Sequence, residues 1–246
     1  MLINLRNALM AGKRGPEPAF AAVLRIAADN LESNITSAPS GATVDWGDGT
    51  VDTYTGGTLS HTYAAAGDYA FKMFSEMSSA PTFSAGDSRS QIYKITKWPN
   101  GMSIPSATAW RNMRGAQSIS GSDGITTIEA WTFYNGFKTN YQDCSIGPFP
   151  NVTTLSTIAF SYCDYLKYVR LEGVITACTG NQVFEGSGSA LTADADGFKL
   201  IVSVGNTCAS LKDVQYFPFG AATTTKFQCS DGYIAYRNGA WTIITE

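Results

Sequence analysis

Short runs of alternating apolar and polar residues, broken by turn signals, dominate this chain. Ala19 to Ile26 reads as a first strand, with Val23, Leu24 and Ile26 apolar. Asp29 to Thr43 reads as a polar loop carrying Ile35 and a Pro39-Ser40-Gly41 turn. From Val44 to Phe71 the alternation returns. Val44 and Trp46 flank Asp45, and Gly47-Asp48-Gly49 follows at once, an Asp-Gly signal for a tight hairpin. Thr50 to Tyr54 alternates again. After Gly56-Gly57, Ser60 to Tyr63 leads through Ala66-Gly67-Asp68 to Tyr69, Phe71 and Met73 at spacing two. Aromatic residues on alternating positions predict two small sheets closing on one aromatic core. Ser75 to Ser90, rich in Ser, Ala, Pro and Gly, is expected to be a boundary.

Beyond Gln91 the pattern becomes an internal repeat. Ile128 to Gly136 aligns with Leu155 to Cys163 at an offset of 27, so Phe133 matches Phe160. Cys163 to Val169 recurs as Cys208 to Val214, about two repeats on. A unit of this size cannot bury its own apolar face, and stacked neighbours solve that. At the other end, Leu2, Leu5, Leu9 and Met10 fall at helical spacing, ahead of a Gly12-Lys13-Arg14-Gly15-Pro16 linker. Arg6 interrupts that apolar run and the basic pair follows it, so a secretion signal is not expected.

Two motif sets carry family resemblances. Trp46-Gly47-Asp48-Gly49, His61-Thr62-Tyr63 and Gly67-Asp68-Tyr69, in that order, resemble the PKD family of immunoglobulin-like β-sandwiches. That resemblance implies a binding or spacer module without catalysis. Ala159-Phe160, Cys163, Leu166 and Val169 resemble the BspA-like class of leucine-rich repeats. Trp131-Thr132-Phe133 and Ala109-Trp110 with Ile119 are looser copies, and Phe227 to Gly232 is similar to that class's closing strand. The opening from Met1 to Arg14 is similar to the N-termini of structural proteins of tailed gut phages. The expected fold is mainly β: an N-terminal anchoring arm (1–18), a PKD/Ig-like sandwich (19–78), a linker (79–91) and a short leucine-rich-repeat solenoid (92–246).

Composition narrows the chemistry. Charged residues are 15% and aromatics 12% of 246 residues, with net charge −3, which favours a folded chain over disorder. A pI near 5.2 and no basic run argue against nucleic acid. No apolar run approaches the length of a membrane span. The five cysteines are odd in number and lack C-x-x-C spacing, so buried free thiols are expected.

His61 is the only histidine, and any triad or His-based metal site would have to use it. Its place in the His-Thr-Tyr motif implies packing or turn bonding instead. Asp45, Asp48 and Asp52, and separately Asp194 and Asp196-Gly197, fall short of a calcium ligand set and read as turn formers. No catalytic, cofactor or metal residues are therefore assigned.

Two partner sites are expected. Leu2, Leu5, Leu9 and Met10 form the anchor arm, and Tyr162, Tyr165 and Tyr168, at spacing three, form a candidate ligand face. The resemblances imply a non-enzymatic virion protein (head decoration, head fibre or tail-associated). It would contact other virion proteins through the arm, assemble as a homo-oligomer, and present adhesive domains to a host-surface protein or glycan. A bacterial cell-surface adhesin is the alternative, and a carbohydrate-binding or carbohydrate-active protein the second.

Overall fold

The computed structural model describes residues 16–77, 80–84, 87–99, 110–141, 143–180, 182–190, 199–202, 207–213, 226–237 and 240–244. The chain is mainly β, 37% strand against 4% helix, so the sheets decide where every other feature sits. The expected anchor residues Leu2, Leu5, Leu9 and Met10 lie outside the described residues, as do Asp194 and Asp196.

The N-terminal part is two antiparallel layers. One runs in the order β1 (Phe20–Ile26), β6 (Gly67–Phe74), β3 (Thr43–Asp45), β4 (Val51–Thr53). The other runs β5 (Leu59–Tyr63), β2 (Leu31–Ser37), β7 (Thr82–Phe83). In β1, Phe20, Ala22, Leu24 and Ile26 alternate inward and are buried. Rings from both layers interlock edge to face: Trp46 with Tyr63 and Phe71, and Phe71 with Phe83 at 5.4 Å.

The stretch expected as a polar loop is in part β2. Its inward positions include Ser33, fully buried, whose hydroxyl bonds the Gln91 side chain. A satisfied polar residue in the core row erased the apolar alternation that would have marked the strand. The segment 79–91, expected as a linker, contributes β7 and a one-turn helix, Asp87–Ser90. The Asn34 N–H donates to Ser88 Oγ at 3.1 Å and Arg89 Nε donates to the Phe83 carbonyl at 3.0 Å.

β8 (Ile92–Lys97) pairs antiparallel with β1 on one side and parallel with β9 (Ser118–Ile119) on the other. One sheet therefore continues through both halves. Beyond β9 it runs parallel through β11 (Ser145–Phe149), β13 (Tyr168–Leu171), β15 (Lys199–Val202) and β16 (Lys226–Cys229). It ends in antiparallel β17 (Gly232–Arg237) and β18 (Ala240–Ile244). A second parallel ladder holds β10 (Thr127–Ile128), β12 (Thr154–Leu155) and β14 (Ala177–Cys178). Ile128 pairs with Leu155, so the 27-residue offset is a distance between adjacent rungs. Between the ladders lie Ile119, Ile146 and Val169 from one and Ile128, Leu155 and Cys178 from the other, all buried.

All five cysteines are buried and unbridged. Among the described residues no helix is long and apolar enough to cross a membrane.

Arg25 ties β1 to its neighbours on both sides. Its Nε and Nη2 donate to the two Asp68 oxygens, each at 2.7 Å, and its guanidinium lies 3.4 Å from the Tyr93 ring centroid. Hydrogen bonding from Arg25 holds the Asp68 carboxyl below its ordinary value of 3.8, against a smaller opposing effect of burial. A carboxylate depressed in the folded state stabilises the fold above the unfolded value and loses that contribution as pH falls through the folded one. The pair is partly exposed and screened by solvent, so Asp68→Asn is expected to cost no more than about 1 kcal/mol at neutral pH. Denaturant unfolding of the two proteins should show that gap closing in acid, as pH falls through the lowered Asp68 value. A gap that persists in acid would show that the ion pair is not its source.

Candidate functional site

The turns between the two ladders repeat a backbone position in the left-handed region. Asn112 (φ 64°), Asn135 (φ 56°), Tyr162 (φ 58°) and Gly186 (φ 67°) occupy it on successive rungs. Cross-rung bonds set the equivalence: the N–H groups of Asn112, Asn135 and Tyr162 donate to the carbonyls of Tyr134, Ser161 and Glu185. Asn135 Nδ2 also donates to Asn112 Oδ1 at 2.7 Å. Asn and Gly accept this conformation at little cost, whereas a bulky ring is an outlier there. Trp131 (φ 65°), Ile158 (φ 60°) and Gln182 (φ 66°) form a second such row.

Of the three aromatic residues with positive φ, Phe137 (φ 50°) is fully buried and the other two stand on the surface. Trp131 is 38% and Tyr162 41% exposed, in a chain whose other large rings are mostly inside. Half-buried Tyr134 joins them, edge to face with Trp131 at 4.9 Å and with Tyr162 at 5.7 Å. The Tyr162 ring lies against the Gly186 backbone: a Cβ there would sit 2.9 Å from Tyr162 Cδ1. The charge of Glu185 raises the Tyr162 phenol above its ordinary value. Beneath this ridge runs a buried stack, Phe133 on Phe160 at 5.4 Å and Phe160 on Phe184 at 5.2 Å, near-parallel.

The ridge is a shallow aromatic step with one carboxylate beside it. Such a surface offers flat apolar contact and a few hydrogen-bonding groups, suited to gripping a protein loop or a sugar face. Of the expected ligand face, Tyr162 belongs to the ridge. Tyr165 is half-buried and packs against the core, and Tyr168 opens β13 with Lys167 Nζ 5.4 Å from its ring. Trp131, Tyr134 and Glu185 were missed. Aligning the rungs would have exposed them, because Tyr162 falls where its neighbours carry Asn or Gly.

The other candidates are engaged in holding the first hairpin. His61 stacks on Trp46 at 4.8 Å and its Nε2 lies 2.9 Å from Asp48 Oδ2. Asp45 Oδ1 accepts from the Gly47 N–H, Asp48 Oδ1 from the Thr50 N–H, and Asp52 Oδ2 from Trp46 Nε1 at 2.8 Å. Backbone donors of a turn thus occupy this acidic cluster. A cleft of about 370 Å³ beside Trp98 is lined by Lys97, Ser120 and Asp123. At the far end of the parallel ladder, Cys208, Cys229 and Asp231 bring three ligating side chains together. Compared with protein-family models, curated proteins and solved structures, the chain matches none.

Proposed function

We propose that this protein is a non-enzymatic display and attachment protein of a phage virion. Its first half is read as a PKD-like sandwich, and the parallel ladders after Gln91 as a BspA-like leucine-rich-repeat solenoid. The single observation that carries the binding role is the ridge of half-buried Tyr134 with exposed Trp131 and Tyr162, the latter two held in a backbone region unfavourable to their side chains. The left-handed backbone itself belongs to the turn repeated on each rung; what is particular to these rungs is that exposed aromatic rings occupy a position that Asn or Gly fills at lower cost, an outlier that motivates a functional contact. The class of particle rests on the sequence likeness of Met1 to Arg14 to phage structural proteins. The arm would dock to capsid or tail proteins, and the ridge would meet a host-surface protein or glycan.

Two tests separate the parts of this reading. Deleting residues 1–14 is expected to abolish incorporation into purified particles; unchanged incorporation refutes the anchoring role. Recovery of the intact protein from uninfected bacterial surfaces would favour the adhesin alternative. For the ridge, Tyr162→Asn restores the residue type found on the rungs above, so folding stability should stay within about 1 kcal/mol. On a glycan array or in pull-down from host envelopes, Tyr162→Asn with Trp131→Ala should weaken retention at least about tenfold. Full retention by that folded double variant would remove the ridge from the binding role.

A further inference from the structure

Cys208 opens the short helix Cys208–Asp213, Cys229 closes β16, and Asp231 sits in the turn from β16 to β17. The helix precedes that strand and turn in the chain, yet the two sulfurs and a carboxylate oxygen all lie within 4.8 Å of one another. We propose that Cys208, Cys229 and Asp231 form a binding site for a thiophilic divalent cation of the zinc type. The site pins the helix to the closing antiparallel strands, and it stands independently of the virion reading.

The donor set fits such an ion. Two thiolates and one carboxylate are ordinary zinc ligands, and in a tetrahedral site two sulfurs sit about 3.8 Å apart. The observed cluster, with its three ligand atoms within 4.8 Å of one another, is close to that spacing. Asp231 is already held beside the helix, because its Oδ1 accepts the Cys208 N–H at 2.7 Å. Both cysteines are buried and Asp231 is exposed, so the ion would have a protected sulfur side and a wet side for a fourth, water ligand.

The other cysteines make the contrast. Cys163 Sγ donates to the Phe133 carbonyl at 3.0 Å, and Cys144 Sγ lies 3.4 Å from the Tyr141 carbonyl. Those thiols are solitary fillers between rungs. Only at 208 and 229, among the described residues, do two thiols and a carboxylate converge. Binding replaces the two thiol protons, which pass to solvent, with the metal.

The test uses the full chain, reduced and stripped by chelator, titrated with cadmium while the ultraviolet thiolate-to-metal charge-transfer band is followed. One ion per chain is expected, displaced by zinc, and zinc should raise the thermal midpoint. Cys229→Ser should lose the band and the midpoint shift, while Cys178→Ala keeps both. Asp231→Asn retains an oxygen for the Cys208 N–H, so it should fold and yet bind at least about tenfold more weakly. Absence of the band in folded wild-type protein, its survival in Cys229→Ser, or unchanged affinity in Asp231→Asn would each overturn the site.

Discussion

Phe160→Ala is expected to destabilise the protein by about 3–5 kcal/mol, a large share of what a domain usually possesses. Phe160 is fully buried between Phe133 and Phe184, near-parallel to both, so its removal empties the middle of a three-ring column. The loss has two parts, the transfer of a ring to water and the cavity that neighbours cannot fill. They cannot close in, because cross-rung bonds such as Phe133 N–H to the Ala159 carbonyl, 2.8 Å, and Phe160 N–H to the Val183 carbonyl, 2.9 Å, fix the spacing between turns. Phe160→Leu should recover more than half of the deficit by filling most of the volume. Denaturant unfolding of the three proteins decides it. A loss below about 1 kcal/mol for the alanine variant would mean that the column is not a core.

Gly47→Ala should cost about 2–4 kcal/mol, and Gly49→Ala only about 1 kcal/mol, although both glycines belong to one hairpin motif. Each has positive φ, +87° at Gly47 and +95° at Gly49, so each substitution strains the backbone. Space separates them. A Cβ at Gly49 meets nothing within 4 Å, whereas one at Gly47 would lie 2.6 Å from the Ala70 nitrogen and 2.9 Å from its carbonyl carbon and oxygen. Those are backbone atoms of β6, which is paired to β1 at Ala70 and to β3 two residues further on, so a shift there must drag the sheet with it. Equal losses for the two variants, measured by the same unfolding, would sink this account.

How far the residues foretold this architecture depends on the element. β1 and the Trp46 hairpin were legible because apolar alternation and an Asp-Gly turn are local signals. The pairing of Ile128 with Leu155 was legible because a repeat carries its partner at a fixed offset. β2 was hidden by Ser33, whose burial depends on Gln91, far along the chain. β10, β12 and β14 are two residues long, too short for any period to show. Spacing three places the tyrosines on one face, but Tyr162 is in a left-handed turn, and such a residue breaks the regular advance on which that spacing relies. Cys208, Cys229 and Asp231 meet only through the return from β16 into β17, which no local motif announces.

Because β8 is bonded to β1 along one edge and β9 along the other, no flexible joint separates the front layers from the ladders at that point. A pull on the outer ladders would be borne crosswise, by rows of amide bonds sharing the load, and not by a single stretched tether. The assembly would tilt as one lever, so whatever orients the front layers also aims the ridge.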